Sequence, residues 1–329
     1  MPKATGAPLV KTTRAFAVHQ VTLECDIFSA SDYPKDGLVF LFFHSGGLVC
    51  GARSVVPPWL VQTCYQRKWP LLSASYRLLP QVDGPGLLQD AQAAYDFARS
   101  LDGQTDRRVV VGGASAGFFM AALIAHHAKP KPAALLSITG IPSFRHPFFN
   151  SSTLIPPTPV KEEEVDPFIA EPVSIGNSAF PPAIFYLDCL LPSGSKNPTF
   201  EVPDEVLSPG VGQDPSRGML YDYFLYDNAF LSMVGSVDLG FDWARDESQR
   251  SRLTAWPVTI FIQGDDDPDV SPSVCEDVVQ ALGREKAKLC LAKGRAHLFE
   301  KTSYVEDTDE GMDAVRHAID ELDKSLASV

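Results

Sequence analysis

Three loops of this chain carry side chains suited to acyl transfer, and each follows a strand-like apolar run. Gly113-Ala114-Ser115-Ala116-Gly117 comes after Val109-Val110-Val111 and leads into an apolar helical stretch, Phe118 to His127. A serine on such a sharp strand-to-helix turn, with small residues letting the two elements approach, keeps its Oγ exposed to a substrate. A hydroxyl is a poor nucleophile at neutral pH, so it needs a base, a carboxylate to orient that base, and donors for the oxyanion. Ser115 is the candidate nucleophile.

Of seven histidines, His297 is the candidate base. It lies in the short polar loop Gly294-Arg295-Ala296-His297-Leu298-Phe299, after the strand-like Ala287-Lys288-Leu289-Cys290-Leu291 and before a charged helical segment. His126 and His127 sit at the far end of the helix that starts at Ser115, roughly 16 Å away at about 1.5 Å per residue. His44 belongs to a glycine-rich turn, His19 to an early strand, His146 to a Pro/Phe-rich segment and His317 to an amphipathic helix. None of those settings presents a ring to Ser115.

The acid is sought in Gly264-Asp265-Asp266-Asp267-Pro268-Asp269-Val270, the exit loop of the buried strand-like run Pro257 to Gln263. Its four aspartates also raise the question of calcium. An EF-hand loop starting at Asp265 requires glycine at its sixth position, where this chain has Val270, and a helix before it, where a strand is expected. No metal is therefore expected here. The aspartates other than the acid are expected to cap the helix from Ser273 or to face solvent.

Upstream, Leu38-Val39-Phe40-Leu41-Phe42-Phe43 reads as a strand buried on both faces and ends in His44-Ser45-Gly46-Gly47. This loop resembles the His-Gly-Gly-Gly oxyanion loop of the hormone-sensitive-lipase-like esterases, members of the α/β-hydrolase superfamily, with Ser45 in place of the first glycine. The resemblance implies oxyanion donors at the backbone N–H groups of Gly46, Gly47 and Ala116. It continues in Ser73-Ala74-Ser75-Tyr76-Arg77-Leu78-Leu79-Pro80-Gln81, similar to the Tyr-Arg-Leu-Ala-Pro-Glu segment of those esterases, and in Gln89-Asp90-Ala91-Gln92-Ala93-Ala94-Tyr95, similar to their following helix. That similarity implies architectural roles, with Tyr76 and Arg77 pinning the loop beneath the site and Asp90 as their polar partner. The acid loop instead resembles the Gly-x-x-Asp-x-x-Val signature of the wider superfamily, which selects Asp267. Serine, aspartate and histidine then follow one another in the superfamily's order.

The elements that must position these loops alternate as strand and helix up to the buried strand Ala133–Thr139, after early antiparallel strands between Phe16 and Phe28. We expect an α/β-hydrolase fold with a mostly parallel central sheet flanked by helices. Residues 1–140 and 256–329 form the core domain, and residues 141–255 form an inserted cap or lid, because so long a break between core strands usually has a task. This insertion contains Lys161-Glu162-Glu163-Glu164, Pro181-Pro182 and an aromatic run whose Phe224 and Tyr226 are expected to line the substrate pocket; the aromatics are equally compatible with a small core of the cap itself.

The 329 residues carry 28 Lys+Arg against 41 Asp+Glu, a net charge of −13, which speaks against nucleic acid or an anionic membrane as partner. Six cysteines without a Cys-x-x-Cys pair read as reduced thiols. With no span of about 18 apolar residues and no apolar signal core after Met1, a cytoplasmic protein is expected. Oligomeric state is left open. The resemblance implies a serine esterase or thioesterase acting on an ester, lactone or thioester of a small apolar or aromatic metabolite, without a cofactor. Two other uses of the same scaffold stay open: a cyclase, dehydratase or carbon–carbon lyase in which the serine is never acylated, and a ligand-binding receptor.

Overall fold

The computed structural model describes residues 6–176, 183–207 and 216–327; residues 1–5 and the Pro181-Pro182 pair lie outside them. Eight strands form one sheet: β1 (Val10–His19), β2 (Val21–Ser29), β3 (Val39–Phe43), β4 (Leu71–Ala74), β5 (Val109–Ala114), β6 (Ala134–Ile138), β7 (Val258–Gly264) and β8 (Ala287–Ala292). Their order across the sheet is β1-β2-β4-β3-β5-β6-β7-β8. β2 runs antiparallel to both β1 and β4, and every later pair is parallel.

Side chains alternate across a strand, so a strand covered on both faces must be apolar at every position. β3 follows that rule: Val39, Leu41 and Phe43 enter one core, while Phe40 and Phe42 enter the other. β5 divides in the same way, with Val109 and Val111 on one side and Val110 and Ala114 on the other. Full burial of each such side chain stabilises the fold by about 1.5–3 kcal/mol.

The helices are α1 (Pro58–Gln66), α2 (Gly84–Arg99), α3 (Gly117–His127), α4 (Glu162–Ile169), α5 (Asp204–Leu207), α6 (Met219–Tyr226), α7 (Phe230–Val234), α8 (Arg250–Ala255), α9 (Pro272–Leu282) and α10 (Gly311–Ala327). α2, α3 and α9 cover one face of the sheet; α1 and α10 cover the other. α3 is buried along its whole length up to Ala125, which explains why its sequence is apolar all round rather than amphipathic. No helix among the described residues is long and apolar enough to cross a membrane.

Strand register brings the functional loops level. Phe43 of β3 lies opposite Gly113 of β5, so the His44–Gly47 loop and the Ser115 turn leave the sheet side by side. Gly264 of β7 lies opposite Ala292 of β8, which starts the Asp267 and His297 loops together. All four emerge at the carboxyl ends of the parallel strands, where ligands bind in open α/β sheets.

Between β6 and β7 the chain leaves the sheet and forms α4 to α8. Its aromatic residues do not build a core of their own. Phe144, Phe149, Phe224, Phe230 and Trp256 join the same apolar cluster as α2 and α3, and Phe185 with Cys189 joins the cluster on the opposite face.

Candidate active site

Ser115 has a positive φ of 51°. That left-handed conformation costs a non-glycine residue on the order of 1–3 kcal/mol, and surrounding bonds must hold it. The Ser115 N–H donates to Ile138 O at 2.9 Å, and its carbonyl accepts the N–H groups of Phe118 and Ile141 at 3.0 and 2.9 Å. The flanking glycines are there because strand and helix nearly touch. A Cβ on Gly113 would stand 2.2 Å from the Gly117 carbonyl carbon, and one on Gly117 would stand 2.2 Å from Phe43 O.

Ser115 Oγ lies 3.0 Å from His297 Nε2, and His297 Nδ1 lies 2.8 Å from Asp267 Oδ2. An Nδ1–H donated to the carboxylate leaves Nε2 as the acceptor for the serine hydroxyl, the tautomer a general base needs. Asp267 is itself oriented by three donors. Its Oδ1 accepts the N–H groups of Asp269 and Val270, both at 2.9 Å, and its Oδ2 accepts Gln263 Nε2 at 3.0 Å. Burial, the strongest single influence on His297, favours the neutral ring; the hydrogen bond and charge of Asp267, aided by Asp269 and Glu300, outweigh it and hold the imidazole above its ordinary range. Glu300 is fully buried three residues after the base, and burial pushes its carboxyl up to about 7.

The oxyanion loop is shaped by Gly46 at φ 122° and Gly47 at φ 63°. Among the described residues, the N–H groups of Gly46, Gly47 and Ala116 take no acceptor from the protein, which leaves them available to a ligand. His44, preceding the loop, stacks on Tyr76 with ring centroids 4.3 Å apart, donates from Nδ1 to Ser45 O at 2.8 Å, and is pushed down to about 4 by burial. It is therefore neutral and structural. Tyr76 donates its hydroxyl to His44 O at 2.9 Å, and Arg77 grips both oxygens of buried Asp90 through Nε. These contacts fasten the segment after β4 beneath the loop.

Ser115, His297, Gly46 and Gly47 open on a cavity of about 320 Å³. The inserted segment supplies Ile155, Gly218, Met219, Tyr221 and Asp222 to its wall. Phe224 and Tyr226, expected in that wall, are elsewhere. Phe224 is buried in the main core with its ring 6.2 Å from that of Phe230, and Tyr226 is 38% exposed. Phe224 points into the core with Leu220 and Leu225, whereas Met219 and Asp222 face the cavity; Tyr226 lies on the Met219–Asp222 side of α6 but a turn further along it, at the helix end.

Of the remaining aspartates, Asp265 and Asp266 are exposed as expected, but none caps a helix. α9 is entered through Ser271 without a side-chain cap. Asp265 accepts the N–H of Gly294 and so braces the turn that leads to His297, while Asp269 faces the cavity. Asp267, Asp269 and His297 offer ligand atoms within 4.8 Å of one another, the spacing of a metal site. Both oxygens of Asp267 and both nitrogens of His297 are already hydrogen-bonded, so that donor set is committed to the triad geometry. Sequence reasoning missed Gln263, Tyr221, Asp222 and Asp269 as parts of the site. A glutamine closing an otherwise apolar strand was a readable signal for the first; the others depend on how the insertion folds back.

Comparison with known proteins agrees with this fold. Residues 40–169 match the family described as alpha/beta hydrolase fold. The chain is 36% identical to Lipase 2 of Moraxella sp. (strain TA144) over 94 residues, 27% of this chain and 22% of that protein. It is 34% identical to an AB hydrolase superfamily protein of Schizosaccharomyces pombe over 135 residues, 40% of this chain and 36% of the other. These matches thus span about a quarter to a third of the curated relatives' length. In structure it is similar to an alpha/beta hydrolase superfamily protein from Enterococcus faecalis, with a TM-score of 0.66 at 14% identity over 97% of this chain and 99% of that one. Sheet order and strand register give this chain the α/β-hydrolase fold, and its residues 40–169 match the family described by that fold.

Proposed function

We propose that this protein is a serine hydrolase that cleaves a carboxylic ester, lactone or thioester of a small molecule through an acyl-enzyme. The observation that carries this reading is the unbroken chain from Ser115 Oγ to His297 to Asp267, at 3.0 and 2.8 Å, at the floor of a cavity that also holds unpartnered backbone donors.

Ser115 Oγ attacks the carbonyl carbon as its proton passes to His297 Nε2, and Asp267 stabilises the resulting imidazolium. The tetrahedral oxyanion is held by the N–H groups of Gly46, Gly47 and Ala116, donors fixed before the reaction and worth about 3–4 kcal/mol each when removed in comparable sites. His297 then protonates the leaving oxygen or sulfur as the bond to it breaks. Water, deprotonated by the same nitrogen, attacks the acyl-enzyme and restores Ser115. The cavity volume lies in the range of small-molecule sites.

The test is labelling by a neutral fluorophosphonate together with turnover of a panel of nitrophenyl esters and thioesters. Labelling that maps to Ser115 and turnover that vanishes in Ser115→Ala are expected. Turnover of a substrate by an unlabelled enzyme would transfer the site to chemistry that never acylates the serine.

A further inference from the structure

The cavity above Ser115 has an unusual electrostatic wall. Besides His297, its ionisable lining includes Asp222 from α6 and Asp269 from the acid loop, and among the described residues neither lysine nor arginine contributes to it. Asp269 brings a carboxylate oxygen within 4.8 Å of the His297 and Asp267 ligand atoms. Neither Asp222 nor Asp269 has its carboxylate in a hydrogen bond or ion pair among the described residues, whereas Asp267 in the same loop and Asp90 beneath the oxyanion loop are each held by donors. Half-buried carboxylates ordinarily find a partner, because taking the charge from water without one is costly.

We propose that the partner is the substrate: the cavity selects a molecule bearing a cationic amine, held between the carboxylates of Asp222 and Asp269 and against the ring of Tyr221. This rests on the ester-hydrolase reading and names the substrate class for it. Three physical arguments support it. A neutral substrate would cover two carboxylates and give them nothing in return, whereas an ammonium group supplies the opposite charge where the dielectric is low. Tyr221 lines the same cavity next to Asp222, and an aromatic face adds to cation recognition. Finally, two carboxylates beside the nucleophile oppose the oxyanion that forms on the substrate carbonyl as Ser115 attacks it, and a bound cation cancels that opposing field. Burial, followed by the charge of Asp269, pushes Asp222 up to about 6, as befits a desolvated acid without a counter-ion. Burial also raises Asp269, where His297 pulls the other way and Asp267 adds to the rise.

Two measurements on the full chain test this at pH 7.5. Calorimetric titration compares benzyltrimethylammonium with its neutral isostere, neopentylbenzene. The cation should bind at least ten-fold more tightly, and Asp222→Asn combined with Asp269→Asn should abolish that advantage; amide substitution breaks no hydrogen bond at either carboxylate, and each single variant should show part of the loss. Equal affinities in the wild type, or an advantage that survives in the double variant, would overturn the proposal. In parallel, kcat/KM is compared for acetylcholine and its isostere 3,3-dimethylbutyl acetate. A preference for the charged ester that falls at least ten-fold in the double variant supports the proposal, and hydrolysis of both at equal kcat/KM with Ser115 labelled refutes it while leaving the hydrolase reading intact. Cation binding without any ester turnover or Ser115 labelling has the converse meaning: the cationic site stands and the hydrolase reading fails.

Discussion

The hydroxyl of Tyr221 donates to the backbone carbonyl of Asp269 at 2.9 Å, tying α6 of the inserted segment to the loop that carries Asp267. The same ring lies against the oxyanion loop, where a Cβ on Gly47 would stand 2.7 Å from it. One residue of the insertion therefore touches two of the loops that build the site. Arg217 fixes the start of α6 in a similar way, donating to Val49 O at 2.6 Å and Leu79 O at 3.0 Å. Tyr221→Phe keeps the ring and removes one bond, so stability should fall by only about 1 kcal/mol. If the bond positions the acid loop, kcat should fall with KM little changed; steady-state kinetics decides between that and a purely structural contact.

Ser115→Ala should lower turnover by several orders of magnitude and leave the residual rate that binding and oxyanion donors supply. The variant should be neutral in stability, since alanine carries the same backbone strain at that positive φ and loses no core contact. Unchanged thermal unfolding with lost turnover is the expected pair of results.

The aspartates of the acid loop should separate sharply. Asp267→Asn should cost about 10⁴ in turnover, by analogy with loss of a triad acid. The base works unprotonated, so activity rises as pH passes upward through the His297 pKa. Burial lowers that pKa and Asp267 is the main influence raising it, so in Asp267→Asn the acid limb of kcat/KM should move to lower pH. Asp266→Asn should stay within a few-fold, as its exposed side chain makes no bond among the described residues. Asp265→Asn should lie between them, because Asp265 holds Gly294 at the root of the His297 turn.

The sheet and the triad were legible in sequence for a common reason: both depend on local pattern. A strand covered on two faces must be apolar throughout, as Val39 to Phe43 is, and a serine at a strand-to-helix turn must be flanked by residues without bulk, as Gly113 and Gly117 are. His297 and Asp267 follow from position at strand ends. The cavity wall was not legible, because α6 presents alternate faces to core and cavity, and apart from Asp222 its sequence Met219–Tyr226 is apolar or aromatic on both. Which face meets Ser115 is decided by the contacts of Arg217 and Tyr221 with Val49, Leu79 and Asp269, residues far from α6 in sequence. Asp222 in particular reads as an exposed polar residue until its neighbour Asp269 is placed opposite the same cavity.

Phe224 and Met219 should accordingly exchange the roles that an aromatic-lined pocket would assign. Phe224 is buried in the main core, so Phe224→Ala should destabilise by about 3–5 kcal/mol through lost burial and the cavity left behind, without a shift in substrate preference. Met219 lines the cavity, so Met219→Ala should alter relative kcat/KM across acyl chains of increasing length at little cost in stability. Denaturant titration and an ester series read the two effects separately. A changed preference in Phe224→Ala with unchanged stability would return that ring to the pocket.

Glu300 offers a test of how dry the region behind the triad is. It is fully buried, neither carboxyl oxygen has a partner outside its own residue, and burial pushes its carboxyl up to about 7, with its own N–H, His297 and Lys301 pulling down and Asp267 pushing up. Between an unfolded value of about 4.3 and that folded value, the native state holds a proton that the unfolded chain has released. Stability contributed by the neutral carboxyl is therefore complete below about pH 4 and declines as pH rises toward 7, by on the order of 3 kcal/mol at about 1.4 kcal/mol per pH unit. Glu300→Gln cannot titrate. Chemical denaturation at pH 5 and pH 8 should show the wild type losing about 2–3 kcal/mol more than the variant across that interval, a difference in which the groups not coupled to Glu300 cancel. Identical pH profiles would mean that water reaches the carboxylate and solvates its charge. In that event His297 sits beside a hydrated anion, and its raised pKa would lose the contribution assigned to Glu300 but keep the larger one from Asp267.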